Sequence, residues 1–178
     1  QALIIGWVFA SFLQGVGGFG VPVAVIAPIL VSLGFSPLSA VIIPSLGHGW
    51  AVTFGSMGSS LQALLAATNQ PEALLAPPAA LFLGISGVIV GLMVSHAADG
   101  WDAVRRLFFP VLILGIVMGS VQYLAAVNGP WNIAAFLAGL SGLMVGFPLA
   151  YRKKKHPPSE NGHLDWKALS IALSGYAI

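Results

Sequence analysis

The chain has 178 residues, of which 57% are hydrophobic and 7% charged, with a formal net charge of +2 and a mean hydropathy of +0.93. A soluble domain carries about 25% charged residues, so this composition excludes a soluble fold and points to a protein whose partner is a lipid bilayer. With no cysteine, disulfides and thiolate metal sites are excluded, and the basic pI of about 9.2 comes from loop residues rather than from a nucleic-acid surface.

No Asp, Glu, Lys or Arg occurs from Gln1 to Pro71. Within this stretch Gly17, Gly18, Gly20 and Pro22 interrupt one apolar segment, and Gly47, Gly49, Gly55 and Gly58 interrupt the next. Each interior glycine costs a helix about 1 kcal/mol relative to alanine, and an interior proline about 3. Two such clusters predict two broken helices, over residues 1–34 and 37–68. In hydrocarbon, opened backbone is tolerated only where protein buries it or a wet cavity meets it. Paired interruptions of this kind mark transport sites, where the N-terminus of a half-helix turns its partial positive charge toward an anion. The half-helix here would run through Val23 to Leu33, with the amides of Gly17 to Gly20 before it. The alternative role of such glycines is close helix packing.

Three ordinary spanning helices follow, at 75–95, 107–127 and 131–151, each near the 20 residues a bilayer requires. "VNGP" joins the last two as a tight turn. The two substantial polar loops, at 97–106 and 152–165, flank this helix pair, so they share one side of the membrane, and their Lys and Arg content places that side in the cytoplasm. "NQPE", Asn69 to Glu72, then faces outward. Trp101, Tyr123, Trp131, Tyr151 and Trp166 fall near helix ends, as an interfacial aromatic belt requires. A further helix begins in 166–178. The chain starts at Gln1 without an initiator Met and stops inside an apolar run at Ile178, so it reads as an internal piece of a larger protein.

"FLQGVGGFGVPVAVIAPILVSLGFSPLSA" resembles the signature segment of the L-lactate permease family, bacterial importers of lactate and glycolate. "HGWAVTFGSMGSS" sits where that family has its second interrupted helix, and "DGW" and "QYL" followed by "GP" are similar to further family features. The resemblance implies an all-α polytopic membrane protein of the inner membrane that takes up small 2-hydroxymonocarboxylates by proton symport, within a chain about twice this length or more. It also implies a relation to inverted-repeat ion transporters with re-entrant hairpins. On that analogy Ala2 to Leu13 and Pro22 to Leu33 are the arms of a hairpin whose tip is Gly15 to Val21. Leu38 to Leu46 and Ser59 to Thr68 are then the halves of a helix unwound around Gly47 to Gly58.

The expected substrate-binding residues are Gln14, Gly17, Gly18, Phe19, Gly20, Ser45, His48, Thr53, Ser56 and Ser59. The carboxylate needs donors and the hydroxyl needs a donor or acceptor, which hydroxyls and free amides supply together. No Arg lies near the site, and neutral dipoles suit a small monoanion. Family members commonly carry a glutamate at the position of Gln14, and a glutamine carries no proton at ordinary pH. His48 is the one titratable side chain at expected membrane depth, so the sequence assigns proton coupling to it. Its alternative role is a structural bond to a nearby carbonyl. His96 reads as interfacial, and His156 and His163 as loop residues.

No cofactor or metal is called for. Carriage of another small organic anion, such as a sulfonate, and uncoupled transport remain open, as does the oligomeric state. A purely structural membrane subunit would explain small residues but not two glycine-dense interruptions. "GISG" around Ser86 and "GLSG" around Ser141 match the nucleophile string of intramembrane serine proteases. Such chemistry needs a histidine at the same depth on another helix. His96 lies ten residues past Ser86, roughly 15 Å along the same helix, which makes the protease reading remote.

Overall fold

A computed structural model describes residues 2–152. His156, His163, all but the first residue of the expected loop at 152–165, and the expected helix in 166–178 lie outside the described residues. Among the described residues the fold is helical throughout, without strands.

A π-helical stretch, Ile4–Phe9, runs directly into α1, Ala10–Gly17. The chain leaves the helix at Gly18 and Gly20, both with positive φ, and returns as α2, Val21–Ser32. The end of α2 is a Schellman motif: Phe35 N–H donates to Leu30 O at 3.0 Å and Gly34 N–H to Val31 O at 2.9 Å, with Gly34 at φ +91°. Ser36 then caps α3, Pro37–Gly47, by accepting the Ser39 N–H at 3.1 Å, and Pro37 fills the first helical position.

Beyond α3 a 3-10 helix, Gly49–Phe54, leads into α4, Gly55–Thr68. The start of α4 is not helical, because Ser56, Met57 and Gly58 all have left-handed backbone angles. This left-handed turn, together with the tight 3-10 segment, bends the path by 48° between Pro37–Gly47 and Gly49–Thr68.

The stretch Glu72–Asn128 is two helices, α5 (72–98) and α6 (101–128), separated where Asp99 and Gly100 depart from helical angles. They fold back on each other antiparallel. Gly84 meets Gly119, Val88 meets Gly115, and Val111 meets Gly91. The 3-10 turn Trp131–Ile133 opens the way into α7, Ala134–Arg152. α7 lies antiparallel to α6, through Met118 against Gly142, and antiparallel to α1, through Gly139 against Phe12 and Gly15 against Phe136.

These helices suit a bilayer. Glu72–Asn128 and Trp131–Ala150 are long and apolar enough to cross, and the bent pair from Pro37 to Thr68 passes the same test together. Phe82, Phe109 and Met144 are each about 70% exposed on α5, α6 and α7, an apolar exterior that only lipid or protein can cover.

One expectation is corrected. The basic segment at 97–106 is not an extended polar loop but a two-residue corner with helix on both sides. α5 and α6 continue past the expected ends at 95 and 107 into polar sequence. Arg106 donates to Asp99 at 3.2 Å and Arg105 stands 4.0 Å from Asp102, all four side chains mostly exposed. The His96 ring lies 4.9 Å from that of Trp101 on the same corner. Charge beyond the hydrocarbon layer does not break a helix, since the chain there meets headgroups and water.

Candidate functional site

The break between α1 and α2 stands against the break between α3 and α4 at three places. A β-carbon on Gly55 would strike the Gln14 amide nitrogen, and one on Gly18 would strike the Ser56 hydroxyl. The Phe19 and His48 rings meet edge to face with centroids 6.0 Å apart. Gln14, Gly18, Phe19, His48 and Ser56 are thus one constellation, built from two interrupted segments.

Local geometry explains the residue types. Gly18 sits at φ +75°, ψ −152°, a region that only glycine occupies at low cost. Its N–H donates to Gln14 O at 3.1 Å, closing α1. At the other side of the break, Ala24 N–H donates to Gly20 O at 3.1 Å as the first bond of α2. The N–H groups of Val21 and Val23 precede that bond and Pro22 has none, so two orphan donors mark the start of α2, which has no side-chain cap. Phe19 and Gly20 beside them are exposed.

Gln14 is only 2% exposed, and its Oε1 has no hydrogen-bond partner. His48, 6% exposed, caps α3. Its Nδ1 is 2.6 Å from Pro44 O; since a carbonyl only accepts, Nδ1 carries the hydrogen of this bond, and Nε2 is left outside it.

The remaining expected residues are placed less centrally. Ser45 is exposed and donates to Val41 O at 2.7 Å, within its own helix. Thr53 is half-buried in the 3-10 segment, Ser59 is exposed on α4, and exposed Gly17 faces Val21. The GxSG serines are also engaged locally: Ser86 donates to Leu83 O and Ser141 to Ala138 O, each at 2.8 Å.

Beneath the constellation lies a buried polar link that sequence reasoning missed. Trp50 Nε1 donates to Ser11 Oγ at 2.8 Å, and Ser11 donates to Trp7 O at 2.7 Å. The Trp50 and Trp7 rings in turn rest on Gly87 and Gly91 of α5. This chain of contacts fixes α1 against the 3-10 segment on one side and α5 on the other. A tryptophan inside a glycine-rich interruption was its only sequence signal.

The level of the site along the molecule follows from α7. Gly15 abuts the backbone of Ala135 and Phe136, in the first turn of α7, and Gly58 abuts Trp131 and Asn132 just before it. The Trp131 indole donates to Glu72 at the start of α5. The constellation therefore lies nearer the end of the bundle that carries Glu72 and Trp131 than the end that carries Asp99 and Gly100.

Comparison with known proteins agrees with this arrangement of apolar helices. The L-lactate permease family model matches residues 1–162. The L-lactate permease of Bacillus subtilis is 32% identical over 71% of this chain and 22% of its own length. That of Halalkalibacterium halodurans is 30% identical over 88% of this chain and 30% of its own length. The glycolate permease of Escherichia coli is 30% identical over 69% of this chain and 22% of its own. The chain thus spans less than a third of the length of these relatives. No solved structure matches it significantly. A family model that runs through all of the described helices, and permeases of several bacteria that align along more than two thirds of the chain, lead to one conclusion: the chain belongs to the L-lactate permease family.

Proposed function

We propose that this chain forms the substrate-binding region of a secondary transporter that takes up small 2-hydroxymonocarboxylates, such as lactate and glycolate, by proton symport. The observation that carries the reading is the meeting of the two interrupted segments, Gln14 on Gly55, Gly18 on Ser56 and Phe19 on His48. Residues 1–34 act as a re-entrant hairpin, and 37–68 as a broken spanning helix. The substrate carboxylate binds the orphan amides at the start of α2, where the helix dipole favours an anion. Ser56, Thr53 and Ser59 supply hydroxyls around it, and Gln14 Oε1 accepts from the substrate. The names of the relatives, which specify lactate and glycolate, support this substrate class.

His48 carries the proton. With Nδ1 bound to Pro44 O, the incoming proton goes to Nε2, and the imidazolium and the carboxylate neutralise each other during transit. Gln14 takes no part in proton transfer. The protein lies in the inner membrane with the corner at Asp99 and Gly100 in the cytoplasm, following the basic residues there. Access to the site is then from the outer face.

The test is uptake of labelled L-lactate by the full-length transporter in proteoliposomes at zero membrane potential, with and without an inward proton gradient. Stimulation by the gradient supports symport. Equal uptake in both conditions identifies an uncoupled carrier, and absence of lactate uptake rejects the substrate class.

A further inference from the structure

Gln122 is the most completely stranded polar side chain among the described residues. It is 0% exposed in the last third of α6, and neither its Oε1 nor its Nε2 has a hydrogen-bond partner. Hydrocarbon offers no water to satisfy a primary amide, so an unpaired one at this depth is retained only at a substantial desolvation penalty. Methionine or leucine would fill the same space without it.

Its position relates it to the constellation above. Met118 packs on Gly142 of α7. In antiparallel packing Gln122, four residues further along α6, comes level with about Ala138, one turn nearer the start of α7. Gln14, next to Gly15 and its contact with Ala135 and Phe136, comes level with the same turn. Two buried amides with unpaired oxygens therefore stand at one level on two helices that both pack against α7.

We infer that Gln122 is a second substrate-contacting amide of the same site and reads the hydroxyl of a 2-hydroxycarboxylate. The inference rests on the function proposed above. The chemistry distinguishes the roles of the two amides. A hydroxyl both donates and accepts: its one hydrogen goes to Gln14 Oε1, and its oxygen accepts from the unpaired Gln122 Nε2. The carboxylate, which only accepts, is served by the α2 amides and His48. A site that pairs with a hydroxyl rejects the analogue that lacks one, because its own polar groups are then left buried and unpaired.

The experiment compares uptake of L-lactate and of propionate, which lacks the hydroxyl, by the full-length transporter in proteoliposomes, for the wild type and Gln122→Met. Thermal stability of both purified proteins is measured alongside. Wild type is expected to prefer lactate, and the preference, as a ratio of kcat/KM values, is expected to fall about tenfold in Gln122→Met. Stability is expected to be unchanged or higher, since methionine removes an unpaired amide. Gln122→Asn, which keeps a shorter amide, is expected to retain part of the preference. An unchanged ratio overturns the inference, as does an equal loss for both substrates. A marked drop in stability overturns it too, by showing that the amide bonds another part of the protein. A wild type that transports neither acid rejects the substrate class itself, and this inference with it.

Discussion

The side-chain amide of Gln14 occupies the space that a side chain at position 55 would need, so that a β-carbon on Gly55 and the Gln14 Nε2 exclude each other. Gln14 lies in the last turn of α1 and Gly55 begins α4. The two breaks are therefore fitted to each other through one glutamine and one glycine.

Gly55→Ala is accordingly expected to destabilise the transporter by about 1–3 kcal/mol, the usual effect of overpacking, and to reduce uptake. Gln14→Ala in the same protein removes the obstructing amide. The double variant is expected to be more stable than the sum of the single effects implies, a coupling that thermal denaturation of the four proteins measures.

Gly18→Ala meets two obstacles, a backbone conformation reserved for glycine and the Ser56 hydroxyl. The strained backbone alone costs about 1–3 kcal/mol. Removing the hydroxyl with Ser56→Ala, which keeps a β-carbon at this left-handed position, is expected to restore only part of the loss in stability, because the φ angle at position 18 is unchanged.

Ser11→Ala strands the Trp50 indole N–H in the buried layer between α1 and α5. An orphaned buried donor costs about 1–3 kcal/mol. Trp50→Phe in the Ser11→Ala background removes the orphan donor, so its added effect is expected to be smaller than that of Trp50→Phe in the wild type. Denaturation midpoints of the four proteins decide this.

His48→Gln keeps a polar side chain next to Phe19 but cannot take up a proton. Uptake is expected to lose its dependence on external pH while the amount of protein in the membrane stays the same. Retained pH dependence in this variant would move the coupling site elsewhere.

These 178 residues hold no cysteine, so single cysteines placed here, in a full-length background freed of any other cysteine, report the orientation. Trp101→Cys, at the exposed corner between α5 and α6, is expected to react with an impermeant thiol reagent only from the cytoplasmic face. Asn128→Cys, exposed at the opposite end of α6, is expected to react only from outside.

The helical membrane character was legible in the sequence because long uncharged apolar runs leave no other fold for the backbone in lipid. What each glycine meets was not. Gly18 and Gly34 are required by their positive φ, whereas Gly55, Gly87 and Gly91 are required by a side chain from elsewhere in the fold. The two kinds look alike in a sequence. Ser56 and Met57 adopt left-handed angles that residue type gives no reason to expect.

Ser45 and His48, both expected at the site, differ in their surroundings. Ser45 lies three residues before His48, yet Ser45 is exposed with its hydroxyl bonded to Val41 O, while His48 is buried and meets Phe19. Ser11 and Gln122 carried no signal, since a single polar residue in an apolar helix gains its meaning from what it touches.

The most direct test of the binding site is equilibrium binding of labelled L-lactate to the purified full-length transporter and its Gln14→Met variant. Gln14 Oε1 has no partner within the described residues, so methionine forfeits no internal bond at that atom. The site described above predicts a Kd about tenfold weaker in the variant, the size of one lost hydrogen bond, with thermal stability preserved. Unchanged affinity in a stable variant would contradict it and place the substrate away from the meeting of the two breaks.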